Sequence, residues 1–271
     1  MMNGLELGMS TLPWYYEPEL VANLPLIVEA GIYSIELRRL APHVDVADRA
    51  SVRGFTTACR NLGLAVNSVH MPREAIFGMS DLDASVRERA VQEAKGVAEA
   101  VAAVGGRILV THTGGLIGEG IAREQVYEAS RESLAKLAPF CAHLGVSIGL
   151  ENTLPRECGI VDEQVRMCDS LNLPNVGCCL DTSHANLAGG DPVQALRRIG
   201  SRLIALHVSD NDGERDMHAL PGEGNVDWTA FLHQLEAIGY GGVFTMEVRG
   251  STPRTAPAEI AGLRGSLVLQ G

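Results

Sequence analysis

Residues 176–192 read VGCCLDTSHANLAGGDP, and they contain the unit from which the rest of the chain can be understood. A short apolar run ends on Asp181, His184 follows three residues later, and Asp191-Pro192 then supplies an N-cap and a proline at the first helical position. An apolar strand, a polar ending and a helix start make one βα repeat. Outward from this stretch, the same pattern places strands near 5–9, 32–37, 64–70, 107–112, 146–151, 176–181, 203–209 and 242–248. Helical spacing covers about 18–30, 46–62, 85–104, 123–144, 162–171, 227–238 and 256–268, besides the helix opened by Asp191-Pro192. In 85–104, Val86, Ala90, Val91, Ala94, Val97, Ala98 and Val101 recur three and four apart; Ser85 with Glu88 reads as a capping box, and Gly105-Gly106 as the stop. Eightfold βα alternation predicts an α/β fold, a (β/α)8 TIM barrel. The main rival, a doubly wound sheet, needs a Gly-rich first turn, but LELGMS (5–10) runs into TLPWYY with no GxGxxG.

Composition agrees with that choice. A chain of 271 residues, 46% hydrophobic and only 4% aromatic, suits one barrel domain over residues 1–271 with a large aliphatic core. The opening MMNGLELGMS lacks a basic flank before a long apolar run, and no apolar stretch approaches about 18 residues, so a soluble, cytoplasmic protein with no membrane partner is expected. Cys59, Cys141, Cys158, Cys168, Cys178 and Cys179 form no CxxC pair and read as reduced, mostly buried thiols. The net charge of −11 offers no long-range attraction to a polyanion, which argues against nucleic acid as a partner.

Six of the later strands end on a residue that can bind a metal: His70 (VNSVH), His112 (ILVTH), Glu151 (SIGLE), Asp181, His207 (LIALH) and Glu247 (VFTME). His184 lies in the loop after Asp181, and Asp216 and His218 lie in ERDMHALPGEGNVDW after strand 7. A parallel barrel opens all its strand ends onto one face, so these nine side chains share a mouth. Clustered carboxylates repel one another without a cation, and a metal centre is therefore expected there. His43, His143 and His233 read as surface or packing residues.

The motifs IELRR, SVHMP, LVTHTGG, LENT, LDTSHANLAGGD, HVSDN, DMHALPGEGNVDW and MEV, which together cover nearly the whole chain, resemble the xylose isomerase-like TIM-barrel superfamily. That superfamily includes sugar-phosphate isomerases and epimerases and the endonuclease IV enzymes. Resemblance to the isomerase and epimerase branch implies one divalent metal on Glu151, Asp181, His207 and Glu247, with Glu151 and Glu247 as the acid/base pair and His184 as a donor to a substrate oxygen. Resemblance to endonuclease IV implies three zinc ions, adding His70, His112, His184, Asp216 and His218 as ligands, and cleavage of abasic DNA. The loop MPREAIFGMSDLDASVRERA after His70 is similar to the sugar-isomerase pattern and lacks the Tyr- and Asn-containing DNA-inserting loop. The expected reaction is thus isomerisation or epimerisation of a sugar, sugar phosphate or related polyol ketone through an enediolate, with dehydration as a variant. A non-catalytic relative that senses sugar has no need of two opposed acid/base groups.

Further expectations follow from the same resemblance. Glu36, His70, His112, Glu157, His218 and Arg249 are expected at the substrate. Glu157 lies six residues after Glu151 as in ketose 3-epimerases, His218 stands where those enzymes carry an arginine, and Arg249 would meet an anionic group. Arg38, Arg39, Arg73 and Arg215 are further mouth candidates, and Trp14, Tyr15 and Tyr16 are available for stacking or a subunit contact. Oxygen-rich ligation with one histidine suits Mn²⁺, Mg²⁺ or Co²⁺, and added histidines favour Zn²⁺. Barrels of this superfamily often pair, which leaves a homo-oligomer open, although no exposed apolar stripe marks an interface.

Overall fold

The computed structural model describes residues 5–269, with side chains described through residue 263. The two ends of the 1–271 range, including the first four residues of the opening read for a leader, lie outside the described residues. Eight strands, β1 (Glu6–Ser10), β2 (Ser34–Leu37), β3 (Ala65–His70), β4 (Ile108–His112), β5 (Ser147–Glu151), β6 (Val176–Asp181), β7 (Leu203–Val208) and β8 (Val243–Met246), pair in chain order as a closed parallel barrel. The ring closes where Glu6 to Met9 of β1 pair with Val243 to Met246 of β8.

Successive residues of a strand face opposite sides, and this alternation sorts the barrel. Inside lie Ile108, Val110, Cys179 and Ala205, a small dry cluster into which Gly149 also points. Two residues further along each strand come His112, Glu151, Asp181 and His207. Each of these four predicted ligands therefore tops an inward-facing apolar row, whereas His70 and Glu247 stand two residues beyond Ser68 and Thr245. The intervening residues Leu109, Ile148, Leu150, Cys178, Leu180 and Leu206 belong to the larger core between barrel and helices. Cys178 and Cys179 diverge accordingly, the first lying 3.5 Å, sulfur to sulfur, from Cys168. All six cysteines are buried and free.

The helices are α1 (Leu20–Glu29), α2 (Arg49–Leu62), α3 (Arg73–Met79), α4 (Ala84–Ala103), α5 (Arg123–His143), α6 (Val161–Leu171), α7 (Thr182–Leu187), α8 (Pro192–Ile199), α9 (Trp228–Ala237) and α10 (Ala256–Leu269). Each of the core-facing helices turns an apolar stripe inward; on α8, Leu196 and Ile199 are fully buried, worth about 1.5–3 kcal/mol each. Asp191 caps α8 as expected, its Oδ1 accepting from Val193 N at 2.8 Å. The start of α4 differs from expectation: Asp83, not Ser85, is the N-cap and accepts from Ser85 N at 2.7 Å, while Glu88 pairs with Lys136 and Gln92. Two short helices, α3 and α7, replace stretches read as loop, so His184 sits on a helical turn capped by Asp181 rather than in a free loop. Both are too short for periodicity to reveal. Among the described residues no helix is long and apolar enough to cross a membrane.

Candidate metal centre and active site

The strand ends converge as two groups that share one residue. Ligand atoms of Glu151, Asp181, His207 and Glu247 all lie within 4.8 Å of one another, and so do those of His70, His112 and Glu151. All six residues are buried. Four of them, His70, His112, Glu151 and Glu247, line a cavity of about 1050 Å³ whose other walls come from the mouth loops.

His207 organises the first group. Its Nδ1 lies 2.9 Å from Glu151 Oε1 and 3.0 Å from Glu247 Oε2. Its Nε2 faces the other way, 2.9 Å from Glu36 Oε1. Glu36 also accepts from Ser68 Oγ at 2.7 Å, is 1% exposed and does not line the cavity. Glu36, expected at the substrate, thus faces His207 and Ser68, and its carboxylate is placed to orient the imidazole on the side away from Glu151. Asn152 sets Asp181 by a two-way clamp, its Oδ1 accepting from Asp181 N at 2.7 Å and its Nδ2 donating to Asp181 O at 3.0 Å.

The electrostatics are those of an over-filled acidic pocket. Burial, helped by Glu151 and Glu247, lifts the Asp181 carboxyl to about 6 against the pull of His184. Burial opposes a charged His207, but the Cys179 thiol, Glu36, Glu247 and Glu151 overcome it and hold its pKa well above the usual range. Against the same burial, His207 keeps Glu151 well below its ordinary range, and His207 with Arg38 does so for Glu247. Asp181 Oδ2 is buried without a hydrogen-bond partner, 3.4 Å from His184 Nδ1, while Glu36 Oε1 and Glu247 Oε1 lack a well-oriented hydrogen bond but are ion-paired with His207 Nε2 at 2.9 Å and Arg38 Nε at 2.8 Å. A buried carboxylate oxygen without a partner is costly unless a cation takes its lone pairs. Three carboxylates and one imidazole nitrogen within ligand range fit a divalent ion.

The imidazole group is wired differently. His70 Nδ1 donates to Met71 O at 2.8 Å, which turns the lone pair of a neutral Nε2 towards Glu151 Oε2 at 3.0 Å. Burial, then Arg38, lowers the His70 pKa and disfavours the proton that would reconcile the pair. His112 Nδ1 is 2.9 Å from Glu157 Oε2, and its Nε2 is 3.5 Å from Glu151 Oε2. Glu157 is buried, also meets Arg73 at 3.2 Å, and lines the cavity as expected. His184 Nδ1 donates to Asn152 O at 3.0 Å, leaving Nε2 for the cavity; despite burial, Asp181 and Glu151 raise its pKa to about 9.

The loop after β7 brings in the last two candidates. His218 takes a positive φ of 46°; its Nδ1 donates to Glu247 O at 2.9 Å and its Nε2 lies 3.5 Å from Asp216 Oδ1. Both residues line the cavity, outside the two ligand groups. Asp210 shapes this loop, accepting from Asn211 N at 2.9 Å, Gly222 N at 2.8 Å, Trp228 Nε1 at 2.8 Å and Val226 N at 3.3 Å. Gly224 packs so closely that a Cβ would overlap the Asn211 carbonyl and the Asp210 carboxylate. That contact accounts for glycine in PGEGNVDW.

Sequence reasoning passed over Asp210, Asn152 and Ser68. For Asp210 and Asn152 the available signal was a polar residue one or two positions beyond a strand end, as in HVSDN and LENT; Ser68 lies within β3 and carried no such signal. Among the arginines, Arg38, Arg39, Arg73 and Arg249 line the cavity; Arg156 was not foreseen. Arg215 is corrected: it pairs with Asp212 at 2.6 Å outside the cavity. Arg39 is turned to the carbonyls of Ala41 and Tyr15 and stacks on the Tyr15 ring at 4.7 Å. Trp14, offered for stacking, is instead buried in the core, while Tyr15 and Tyr16 do line the mouth.

The family described as "Xylose isomerase-like TIM barrel" matches residues 24–265. An L-ribulose 3-epimerase of Mesorhizobium japonicum is 26% identical over 231 residues, covering 83% of this chain and 73% of that protein. Other curated relatives match over shorter stretches: the chain spans 44%, 37% and 48% of the length of three of them. A crystal structure of a D-tagatose 3-epimerase-like protein superposes with a TM-score of 0.83 at 21% identity, covering 98% of this chain and 99% of that one. The IolI protein with a bound zinc atom superposes with a TM-score of 0.80 at 19% identity, covering 98% and 97%. At these identities the superpositions speak for the fold.

Proposed function

This chain belongs to the xylose isomerase-like TIM-barrel family, and on that premise we propose that it is a divalent-metal-dependent isomerase or epimerase of a sugar, sugar phosphate or related polyol ketone. The observation that carries this reading is the pair of glutamates, Glu151 and Glu247, on either side of His207 Nδ1 at 2.9 and 3.0 Å, with Asp181 in the same ligand group. The relatives named as epimerases support the reaction class, and the zinc-bound IolI protein supports the ion.

Glu151, Asp181, His207 and Glu247 would hold the ion, with His207 Nδ1 on their side and its Nε2–H donating to Glu36, which fixes the ring. A bound divalent ion supplies Lewis-acid polarisation of a substrate carbonyl and stabilises the charge of an enediolate. One glutamate removes the proton from the carbon between carbonyl and hydroxyl. The C–H pair becomes the new C=C bond, and the carbonyl π pair moves onto oxygen. The other glutamate, entering as the acid, returns a proton to the opposite face of that carbon, giving the epimer; return to the former carbonyl carbon gives the isomer. Solvent exchange resets both carboxyls. His184, held by the Asn152 carbonyl, donates from Nε2 to a substrate oxygen, and Glu157 and His218 contact its hydroxyls from the walls. The whole of residues 1–271 serves as one barrel domain in this reading.

The test is elemental analysis of protein purified without chelators, followed by turnover of a ketose, aldose and sugar-phosphate panel in D₂O. About one divalent ion per chain and deuterium at the epimerised carbon are expected; an ion-loaded protein that exchanges no carbon-bound proton of any sugar in the panel sinks the reading. A second reading, a trinuclear-zinc phosphodiesterase acting on abasic DNA, is favoured by one observation, the lone pair of His70 facing Glu151 beside His112. About three zinc ions per chain would support it.

A further inference from the structure

Arg38 holds a position in the cavity that the proposed roles leave unused. Its backbone is set by Thr11, whose Oγ1 accepts from Arg38 N at 2.9 Å while Thr11 N donates to Glu36 O at 2.9 Å, so the residue after β2 is tied to the residue after β1. From there the side chain crosses to β8, and Nε comes within 2.8 Å of Glu247 Oε1. Neither atom makes a well-oriented hydrogen bond despite that distance, and both are buried. The side chain as a whole is 26% exposed and lines the cavity. No other N–H of this guanidinium meets an acceptor among the described residues.

The other cavity arginines are differently placed. Arg39 is committed to two backbone carbonyls and a tyrosine ring, and Arg73 to Glu157. Arg156 and Arg249 are exposed at the walls. Arg38 alone of the five touches a carboxylate of the four-residue ligand group. A guanidinium offers its Nη groups as a planar fork, which matches two oxygens of one anion and which an ammonium cannot copy.

Resting on the isomerase reading, we propose that Arg38 is a further catalytic residue: its free Nη groups donate to the substrate oxygen that becomes negative when the carbon-bound proton is removed. The enzyme then meets the new charge from two sides, the ion held by the four ligands and a fixed cation with open donors. Because the guanidinium is already in place beside Glu247, it needs no reorganisation as the charge appears.

The experiment uses full-length protein saturated with Mn²⁺ and two probes, glycolohydroxamate as an anionic enediolate mimic and xylitol as a neutral polyol, titrated by calorimetry. Arg38→Gln is expected to weaken hydroxamate binding by about 10²-fold, the scale of losing one oxyanion donor, with xylitol binding changed by less than about threefold and Mn²⁺ retained. Arg38→Lys, which keeps charge but not the fork, should recover only part of the loss. Equal weakening of both probes would reduce Arg38 to a structural role, and unchanged hydroxamate affinity would overturn the assignment outright. If Arg38→Gln separates the two probes in this way but the wild-type protein turns over no sugar, the isomerase reading fails while Arg38 as a donor to a bound anion stands. On an active substrate, Arg38→Gln should lower kcat and slow proton exchange into D₂O rather than raise KM.

Discussion

The two halves of the barrel mouth share Glu151 and otherwise differ in kind. On the β6 to β8 side, carboxylates outnumber imidazoles, and Asp181 Oδ2 has no hydrogen-bond partner while Glu247 Oε1 is ion-paired with Arg38 without a well-oriented hydrogen bond. On the β3 and β4 side, imidazoles outnumber carboxylates, and each ring already has a partner on Nδ1: the Met71 carbonyl for His70, Glu157 for His112. Carboxylate oxygens crowded around one nitrogen ask for a cation and leave carboxylates free to move protons. Committed imidazoles are better suited to orienting Glu151 and a substrate. The comparison teaches that nine metal-capable residues at one mouth need not be nine ligands.

The sharpest way to break this contrast is to neutralise one residue on each side. Glu151→Gln and Glu247→Gln are expected to lower turnover by about 10²–10⁴-fold, the range for losing a general acid or base, whereas His112→Gln should cost about tenfold or less if it only positions neighbouring groups. Comparable losses in all three, with metal content falling in His112→Gln, would make the imidazole side a second metal site. Next in size, Glu36→Ala should weaken metal affinity by roughly 10–100-fold, because it removes the acceptor that orients His207. Competition with a chromophoric chelator measures this; unchanged affinity would show that His207 is held without Glu36.

Asp210 tests whether the acidic side depends on its loop. Asp210→Ala strands buried donors from Val226 and Trp228, and a loss of about 2–3 kcal/mol in unfolding free energy is expected. Denaturant titration reads it, and a stability equal to the wild type would mean that water replaces the carboxylate. The smallest effect lies outside both halves. His43 is buried, and burial followed by the nearby Arg39 lowers its pKa to about 4 from an ordinary 6.5. Between those values the unfolded chain binds the proton more readily, so the stability from neutral His43 is present above pH 6.5 and is lost as pH falls towards 4. His43→Gln should flatten that part of the stability profile without altering metal binding; an unchanged slope would assign the acid sensitivity to other groups.

Much of this arrangement was legible in the sequence because period and position carry it. Strands of four to six residues, each with a polar residue at or beside its end, followed by helices at spacings of three and four, dictate a βα barrel whatever the long-range contacts. Strand alternation then sets His112, Glu151, Asp181 and His207 on the inner face above Val110, Gly149, Cys179 and Ala205. Local signals reached Asp191 at its helix start but not Asp83, where two nearby polar residues compete for the same cap.

Distance across the mouth is a different kind of fact. Glu36 and His207 are far apart in the chain, and only barrel closure puts Ser68 and Glu36 beneath the imidazole and Arg38 beside Glu247. Which of the mouth arginines turns inward depends on competing acceptors: Asp212 captures Arg215, two carbonyls and a ring capture Arg39, and the Thr11 tie leaves Arg38 aimed at the floor. The sequence by itself determined the barrel and the row of ligand-bearing strand ends, because both follow from short-range periodicity. The tertiary structure alone decided which of those side chains meet, which are already satisfied and which oxygens are left without a partner, because hydrogen bonding and ion pairing act over a few ångströms that no spacing along the chain encodes.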